Sequence, residues 1–140
     1  MSEQRLIRFG VSMNPRLLER FDQSITTKGY TNRSEAIRDL IRDYLVEMEW
    51  EQSGEVAGTV TLVYNHHVKG LTDLLVDLQH EYHPYILSTT HVHLDEHNCL
   101  EVMIIKGPAE IARMIAEQLI SVKGVAHGNL SITSTGKDLP

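Results

Sequence analysis

The sequence predicts an α+β protein of two parts, and three observations support this prediction. The 140-residue chain has a formal net charge of −6, yet residues 1–42 hold eight Lys or Arg against five Asp or Glu. Residues 7–13 alternate between apolar and polar side chains, and two helical patterns follow them. The remainder has the periodicity of β-α-β-β-α-β. We therefore expect one domain at 1–50, a polar, glycine-containing linker at 51–58 and a second domain at 59–140.

The first domain is expected to contain one strand and two helices. Asn14 and Pro15 suit the start of the first helix, Gly29 follows its end, and Asn32 with Glu35 has capping-box spacing for the second. A lone strand leaves both edges unpaired, so strand 7–13 would need a second chain. Antiparallel pairing of two copies would bury the apolar positions on the helices, namely Ile7, Phe9, Val11 and Met13. Arg8, Gly10 and Ser12 would then face outward on a ribbon that fits the DNA major groove. The alternative is an ordinary edge strand of a mixed sheet.

The second domain is predicted to be a ferredoxin-like βαββαβ unit of the kind used by small ACT-type sensing domains. Strands are expected at 59–64, 85–94, 99–106 and 126–133, with helices beginning near Leu71 and after Gly107-Pro108. The fold class is thus α+β, with a ribbon-bearing N-terminal part followed by an ACT-like domain.

The chain's single cysteine lies close to a His-x-His sequence. His91 and His93 share one face of a strand, and the hairpin can bring Cys99 beside them. We expect these side chains to project from the face of the sheet that carries no helices, with the aliphatic side chains of the hairpin directed at the helices. A thiolate with imidazoles suits zinc, copper, nickel or cobalt. His80 points away from its own core, so a second chain could supply it as a fourth ligand.

Three simpler readings of these residues remain open. The histidines could be surface decoration, the cysteine a small buried hydrophobe, or the pair a Cys-His nucleophile. Because the sequence reveals neither an orienting acid nor a substrate pocket, we do not expect an enzyme. A single cysteine cannot form an intramolecular disulfide, and MSEQRLIRFG has no apolar signal region. We expect a cytoplasmic protein with no membrane segment.

The N-terminal half resembles the ribbon-helix-helix DNA-binding family in the sequence GYTNRSEAIR, residues 29–38. In that family the start of the second helix, here residues 32–34, holds a DNA phosphate. Together with Gln79-His80, HVH at 91–93 and DEHNCLE at 95–101, the whole chain resembles the nickel-responsive regulator family, NikR. The resemblance implies a homotetramer, a dimer of dimers, that binds Ni(II) in square-planar geometry. The implied ligands are His91, His93 and Cys99 of one chain and His80 of another.

The same resemblance implies a repressor whose binding to double-stranded operator DNA is strengthened by nickel and which shuts down nickel uptake. Tyr64 and Glu101 match positions that support the metal ligands. A second, weaker cation such as potassium is implied at Glu35 and Asp39 with backbone oxygens near Ile120, Val122 and Val125. An exposed acid pair is the alternative there. The implied DNA contacts are Arg8, Gly10, Ser12, Asn32, Arg33, Ser34 and Lys69.

Two departures from the family concern the DNA contacts. Gly10 stands where some relatives have a side chain, and Val68-Lys69 stands where some have two basic residues. The remaining histidines are expected to be solvent or secondary-metal residues: His66, His67, His83 and His127. Two other functions stay open, a metal storage or delivery protein that uses its N-terminal unit only to dimerise, and the same architecture sensing copper or zinc.

Overall fold

Two helices follow the N-terminal segment, α1 (Pro15–Thr27) and α2 (Arg33–Glu51). The computed structural model describes residues 5–52 and 54–140, so residues 1–4 of the predicted first domain and residue 53 of the predicted linker lie outside the described residues. Both predicted caps are present. The Asn14 side chain accepts the Arg16 backbone N–H at 2.8 Å, and the Asn32 side chain accepts that of Glu35 at 2.9 Å. Gly29, with φ of 87°, lets the chain leave α1 in the left-handed conformation.

The predicted strand at 7–13 has no hydrogen-bonded partner strand within the described part of this chain, and residues 5–14 carry no regular secondary structure. Its apolar side chains are exposed, Ile7 by 84% and Phe9 by 71%. They line an apolar groove of about 520 Å³ together with Phe21, Ile37 and Ile41 of the helices. A strand forms only when another strand completes its hydrogen bonds, so a single copy cannot display the ribbon.

The predicted linker is mostly secondary structure. Helix α2 continues to Glu51 and strand β1 (Glu55–Asn65) already begins at Glu55, so only residues 52–54 connect them. Composition misled the prediction because Gly58 is an inward-facing strand residue: a Cβ atom there would lie 2.7 Å from the Ser131 carbonyl oxygen and 3.1 Å from the Trp50 ring. The chain divides into two compact units after Ile41, within α2 rather than at residue 50.

The second unit, Arg42–Pro140, contains the predicted βαββαβ order. After β1 come α3 (Leu71–Glu81), β2 (Ile86–His93), β3 (Asn98–Pro108), α4 (Ala109–Ile120) and β4 (Val125–Thr133). The strands form one antiparallel sheet in the order β2-β3-β1-β4, which is the ferredoxin-like arrangement. One face of the sheet packs on α3 and α4. The core includes Val60, Leu62, Leu75, Met103, Ile115 and Leu119.

The predicted assignment of the two sheet faces is wrong. Cys99, Glu101 and Met103 lie on the face covered by the helices and are buried, whereas Ile104 is 43% exposed and Val92 is 44% exposed on the opposite face. Both alternating sets of β3 contain apolar residues, so alternation alone could not assign the faces. Tertiary contacts decide it, because Gln79 of α3 donates a hydrogen bond to the Glu101 carboxyl group and makes its burial tolerable.

Candidate metal centre

The thiol of Cys99 lies at the end of the sheet where three strands meet. In the β2–β3 register Cys99 is opposite His93, and in the β1–β3 register it is opposite Tyr64. Cross-strand partners point to the same face, so this register brings the thiol and the imidazole together as predicted. Cys99 is fully buried, while His91 and His93 are exposed. The centre therefore has a buried sulfur and an open side.

The imidazoles nearest the sulfur are those of His66 and His93. Cys99 Sγ lies 3.2 Å from Nδ1 of His66 and 3.4 Å from Nδ1 of His93. Among the described residues these three side chains form a group whose ligand atoms all lie within 4.8 Å of one another. His91 is outside this group. Its Nδ1 atom lies 3.4 Å from the Tyr64 hydroxyl, at the long end of hydrogen-bonding distance.

A buried carboxyl group lies behind His91. Tyr64 donates its hydroxyl hydrogen to Glu101 Oε2 at 2.9 Å, and Gln79 donates to Oε1 at 3.0 Å. Burial, followed by the nearby carboxylate of Glu101, raises the pKa of Tyr64, so the phenol keeps its proton. Because Tyr64 uses its hydroxyl hydrogen to donate to Glu101, the Tyr64 oxygen is available to accept the Nδ1–H of His91. That tautomer leaves Nε2 of His91 unprotonated and able to bind a metal.

Two further imidazoles, those of His67 and His97, extend the centre toward solvent. The ring centroids of His66 and His67 lie 4.0 Å apart, and those of His67 and His97 lie 5.4 Å apart. The backbone N–H of His66 donates a hydrogen bond to the backbone carbonyl of His97 at 3.1 Å. Removal from water, and then the charges of the neighbouring imidazoles, lower the pKa of His66. A neutral imidazole is the form that binds metals.

Asp95 shapes the turn between β2 and β3. Its Oδ1 atom accepts the backbone N–H groups of His97 at 2.9 Å and Asn98 at 2.8 Å. Hydrogen bonds from the Asn98 side chain and from these backbone groups lower the pKa of Asp95 to about 2. The turn thus fixes where β3 begins, one residue before Cys99.

The donor set fits a thiophilic divalent ion such as nickel. One buried thiol, two nearby imidazoles and an oriented third imidazole supply soft and borderline ligands, and the carboxyl group next to them is already engaged by Tyr64 and Gln79. His80 is exposed on α3, outside the cluster around Cys99, which agrees with the prediction that it points away from its own core.

The predicted DNA contacts occupy two parts of the first unit and, for Lys69, the second unit. Arg8, Gly10 and Ser12 are exposed in the segment that precedes α1. At the start of α2 the Asn32 side chain is engaged as a cap. Nε and Nη2 of Arg33 donate hydrogen bonds to the Asp22 carboxylate at 2.8 and 2.7 Å. Ser34 is exposed, and Lys69 is exposed in the second unit before α3.

The residues of the predicted second cation site are divided between the two units. Asp39 accepts a hydrogen bond from the Tyr30 hydroxyl at 2.6 Å, and Glu35 accepts one from Thr31 at 3.4 Å. Ile120, Val122 and Val125 belong to the second unit, where the Val122 carbonyl accepts the Val125 N–H at 3.0 Å. This site stays a prediction.

Sequence reasoning missed two residues of the centre. The sequence pattern gives Gln79 no role beyond preceding His80 in the family resemblance, and it predicts His66 to be a solvent or secondary-metal histidine. The antiparallel register of β1 against β3 pairs Tyr64 with Cys99, and His66, two residues further along, lies diagonally across from Cys99 with its Nδ1 atom 3.2 Å from the sulfur. Gln79 reaches the centre from α3 through its hydrogen bond to Glu101. A sequence-level signal for His66 exists, namely an imidazole directly after the strand that precedes the first helix.

The fold and the centre define a class of protein, one that joins a ribbon-helix-helix unit to a metal-binding domain with a ferredoxin-like sheet. Residues 7–47 match the family described as ribbon-helix-helix protein, copG family, and residues 57–133 match the NikR C terminal nickel binding domain. The chain belongs to the NikR family of nickel-responsive regulators. The ribbon-helix-helix unit indicates DNA binding, and the family is one of transcriptional regulators rather than enzymes.

Relatives align over nearly the whole chain. Proteins with the description "Putative nickel-responsive regulator" from Pyrococcus horikoshii and Geobacter sulfurreducens are each 58% identical, over 96% and 95% of this chain and 98% and 96% of their own lengths. One from Thermococcus kodakarensis is 57% identical over 96% of this chain and 99% of its own length.

Within the described ranges, no helix has both the length and the apolar character needed to cross a membrane.

Proposed function

We propose that this protein is a nickel-dependent repressor of nickel uptake genes that acts in the cytoplasm. Ni(II) is bound by His91, His93 and Cys99 of one chain and by His80 of another. The buried thiol facing imidazoles at the end of the sheet is the observation that carries this proposal. The relatives' description as nickel-responsive regulators supports the choice of metal.

The proposed assembly is a homotetramer, a dimer of dimers. Within each dimer, the exposed apolar residues before α1 pair with a second copy and fill the groove lined by α1 and α2. That pairing buries Ile7 and Phe9 and leaves Arg8, Gly10 and Ser12 on the outer face for the DNA major groove. The backbone N–H groups of Arg33 and Ser34 hold a phosphate, because the Asn32 side chain already caps the helix. Lys69 adds a phosphate contact from the second unit.

The chain's own residues couple the metal to DNA through α3. His80 follows Gln79, which hydrogen-bonds Glu101, and Glu101 in turn binds Tyr64 beside His91. Binding His80 to a neighbouring chain's centre orders α3 and favours tetramers whose two ribbons can meet two half-sites. Hydrogen-deuterium exchange across residues 65–83 should slow when Ni(II) is added. An unchanged exchange pattern there would remove this link.

A second cation, such as potassium, is proposed to bind the carboxylates of Glu35 and Asp39, two residues of the first unit. Glu35 and Asp39 both lie on α2, whose first residues are proposed to hold the DNA phosphate. A cation bound there would therefore stabilise the DNA-bound arrangement of this helix. Glu35→Gln should then weaken operator binding in potassium buffer without changing Ni(II) affinity, and an unaltered DNA affinity would contradict the site.

The decisive experiment is titration of the metal-free protein with Ni(II), following thiolate-to-nickel absorption and DNA binding together. The DNA is a labelled duplex selected from a random-sequence pool by the nickel-loaded protein, since the operator sequence is open. We expect a signal of one ion per chain that is lost in Cys99→Ala, and a DNA affinity that rises with it. If the protein binds nickel but enriches no duplex from the pool, the proposed repressor mechanism is wrong.

A metal storage or delivery protein is the competing function, and Arg8→Ala separates the two. In the regulator this variant binds nickel normally but loses DNA, because Arg8 faces outward on the ribbon. A storage protein would show no nickel-dependent DNA binding in either form. Sensing of copper or zinc is tested by the same titration. Tight copper binding alone decides nothing, since copper exceeds nickel in affinity for nearly every such site.

A further inference from the structure

The side chain of Arg33 is held by an acidic residue of the other helix of the first unit. Nε and Nη2 of Arg33 donate to the two carboxylate oxygens of Asp22 at 2.8 and 2.7 Å, which makes a bidentate ion pair between α1 and α2. The hydrogen bonds from Arg33 lower the pKa of Asp22, so the carboxylate is charged at neutral pH. The pair therefore cancels the positive charge of Arg33 and occupies two of its N–H groups.

Arg33 lies where the DNA phosphate is proposed to bind. It is the first residue of α2, and the first N–H groups of a helix have no acceptor within that helix. Arg33 and Ser34 also line the apolar groove together with Ile7 and Phe9, so Arg33 lies beside the segment that is proposed to form the ribbon. A phosphate at this helix start would be a second bidentate acceptor for the guanidinium group, in competition with Asp22.

The ion pair is exposed enough for such an exchange. The side chains of Arg33 and Asp22 are 55% and 39% exposed, and exposed ion pairs contribute little to stability because water screens them. Opening the pair is therefore easy, but the freed carboxylate then lies close to the phosphate and repels it. Asp22 opposes a phosphate contact in both arrangements, since it occupies Arg33 in one and repels the phosphate in the other.

We propose that Asp22 restrains the DNA affinity of this protein by holding Arg33 away from the DNA backbone, an inference that rests on the proposed DNA-binding function. The restraint acts on a phosphate contact, which every DNA sequence offers, and not on the base contacts of Arg8 and Ser12. Asp22 and Arg33 both belong to the first unit and the metal centre belongs to the second, so the restraint is the same with and without nickel. It keeps the metal-free protein off DNA at salt concentrations at which the nickel-loaded protein binds.

The experiment measures DNA binding of the full-length protein by fluorescence anisotropy over a range of NaCl concentrations, with and without Ni(II). The probes are the selected duplex and a scrambled duplex of the same length. We expect Asp22→Asn to raise the affinity for both duplexes by at least about threefold at low salt. The fall of log affinity with log salt concentration should steepen by about 0.9 for each Arg33 that gains a phosphate. The affinity ratio between the duplexes, the ratio with and without nickel, and nickel binding itself should not change.

Glu19→Gln is the matched control, because it removes the same charge from an exposed position of the same helix. It should raise DNA affinity less and leave the salt dependence unaltered. Asp22→Glu keeps the carboxylate and should behave as the unaltered protein. In an Arg33→Gln background, Asp22→Asn should have no more effect than Glu19→Gln.

Two results would overturn the proposal. One is an Asp22→Asn protein whose DNA affinity and salt dependence equal those of Glu19→Gln. The other is an affinity below that of the unaltered protein, which would mean that Asp22 directs Arg33 toward the phosphate. If nickel has no effect on DNA binding in any variant while Asp22→Asn still tightens it and steepens its salt dependence, the nickel mechanism is refuted and the restraint is supported. Absence of DNA binding in all variants would refute both.

Discussion

Replacing Tyr64 by Phe removes one hydroxyl group from the interior and tests the network behind the metal centre. Tyr64 is 1% exposed, and its hydroxyl donates to Glu101 Oε2 at 2.9 Å. Glu101 is 5% exposed and would keep only the donor from Gln79. A buried carboxyl oxygen left without its partner costs more than a typical neutral hydrogen bond, so Tyr64→Phe should lower the free energy of unfolding by about 2 kcal/mol.

The assay is urea unfolding of the metal-free protein at one fixed protein concentration, because assembly contributes to apparent stability. Tyr44→Phe is the matched control. Tyr44 is 61% exposed, so removing its hydroxyl should leave the free energy of unfolding nearly unchanged. A double-mutant cycle of Tyr64→Phe with Glu101→Gln isolates the pair. The reasoning is refuted if Tyr64→Phe costs under about 0.5 kcal/mol, or if the cycle shows no coupling energy.

Three further predictions concern the close packing, the turn and the N-terminal segment. Gly58→Ala should destabilise the fold by about 1–3 kcal/mol in thermal or urea unfolding, because the new Cβ atom would overlap a backbone oxygen, whereas Gly10→Ala, with no neighbouring atom within 4 Å, should not. The Asp95 carboxyl should titrate by NMR near pH 2. Since its pKa is lowered from 3.8, the Asp95 carboxylate stabilises the turn fully above pH 3.8, and this stabilisation is lost as the pH falls toward 2. An NMR titration midpoint near 3.8 would contradict the turn geometry. Phe9→Asp should prevent dimer formation in analytical ultracentrifugation while Arg8→Ala assembles normally, and an intact Phe9→Asp dimer would exclude the ribbon pairing.

The elements of this protein were largely predictable because their signals are local. Asn14 and Asn32 cap the two helices as their spacing indicated, and the βαββαβ order follows from periodicities of two and 3.6 residues. Composition is a weaker guide. The glycine in segment 51–58 favours a linker, yet position 58 lies within β1 and requires glycine because the Trp50 ring and the Ser131 backbone leave no room for a Cβ atom.

The metal centre shows the same division between local and long-range information. Alternation placed His91 and His93 on one face and a hairpin placed Cys99 near them, and the register confirmed the pairing of Cys99 with His93. Alternation could not say which face the helices cover, because both sets on β3 contain apolar residues. Alternation also could not find His66. This residue lies 33 positions before Cys99 in the chain, and it approaches the thiol only because β1 pairs with β3.

The sequence by itself determined where the helices begin, the fold class, the residue types able to bind a metal and the basic N-terminal part, since each depends on neighbours a few positions apart. Only the tertiary structure decided the orientation of the sheet, the burial of Glu101 under Tyr64 and Gln79, and the choice of imidazole nearest the thiol. Those features depend on strand register and on satisfying buried polar groups, which are properties of the whole packed domain.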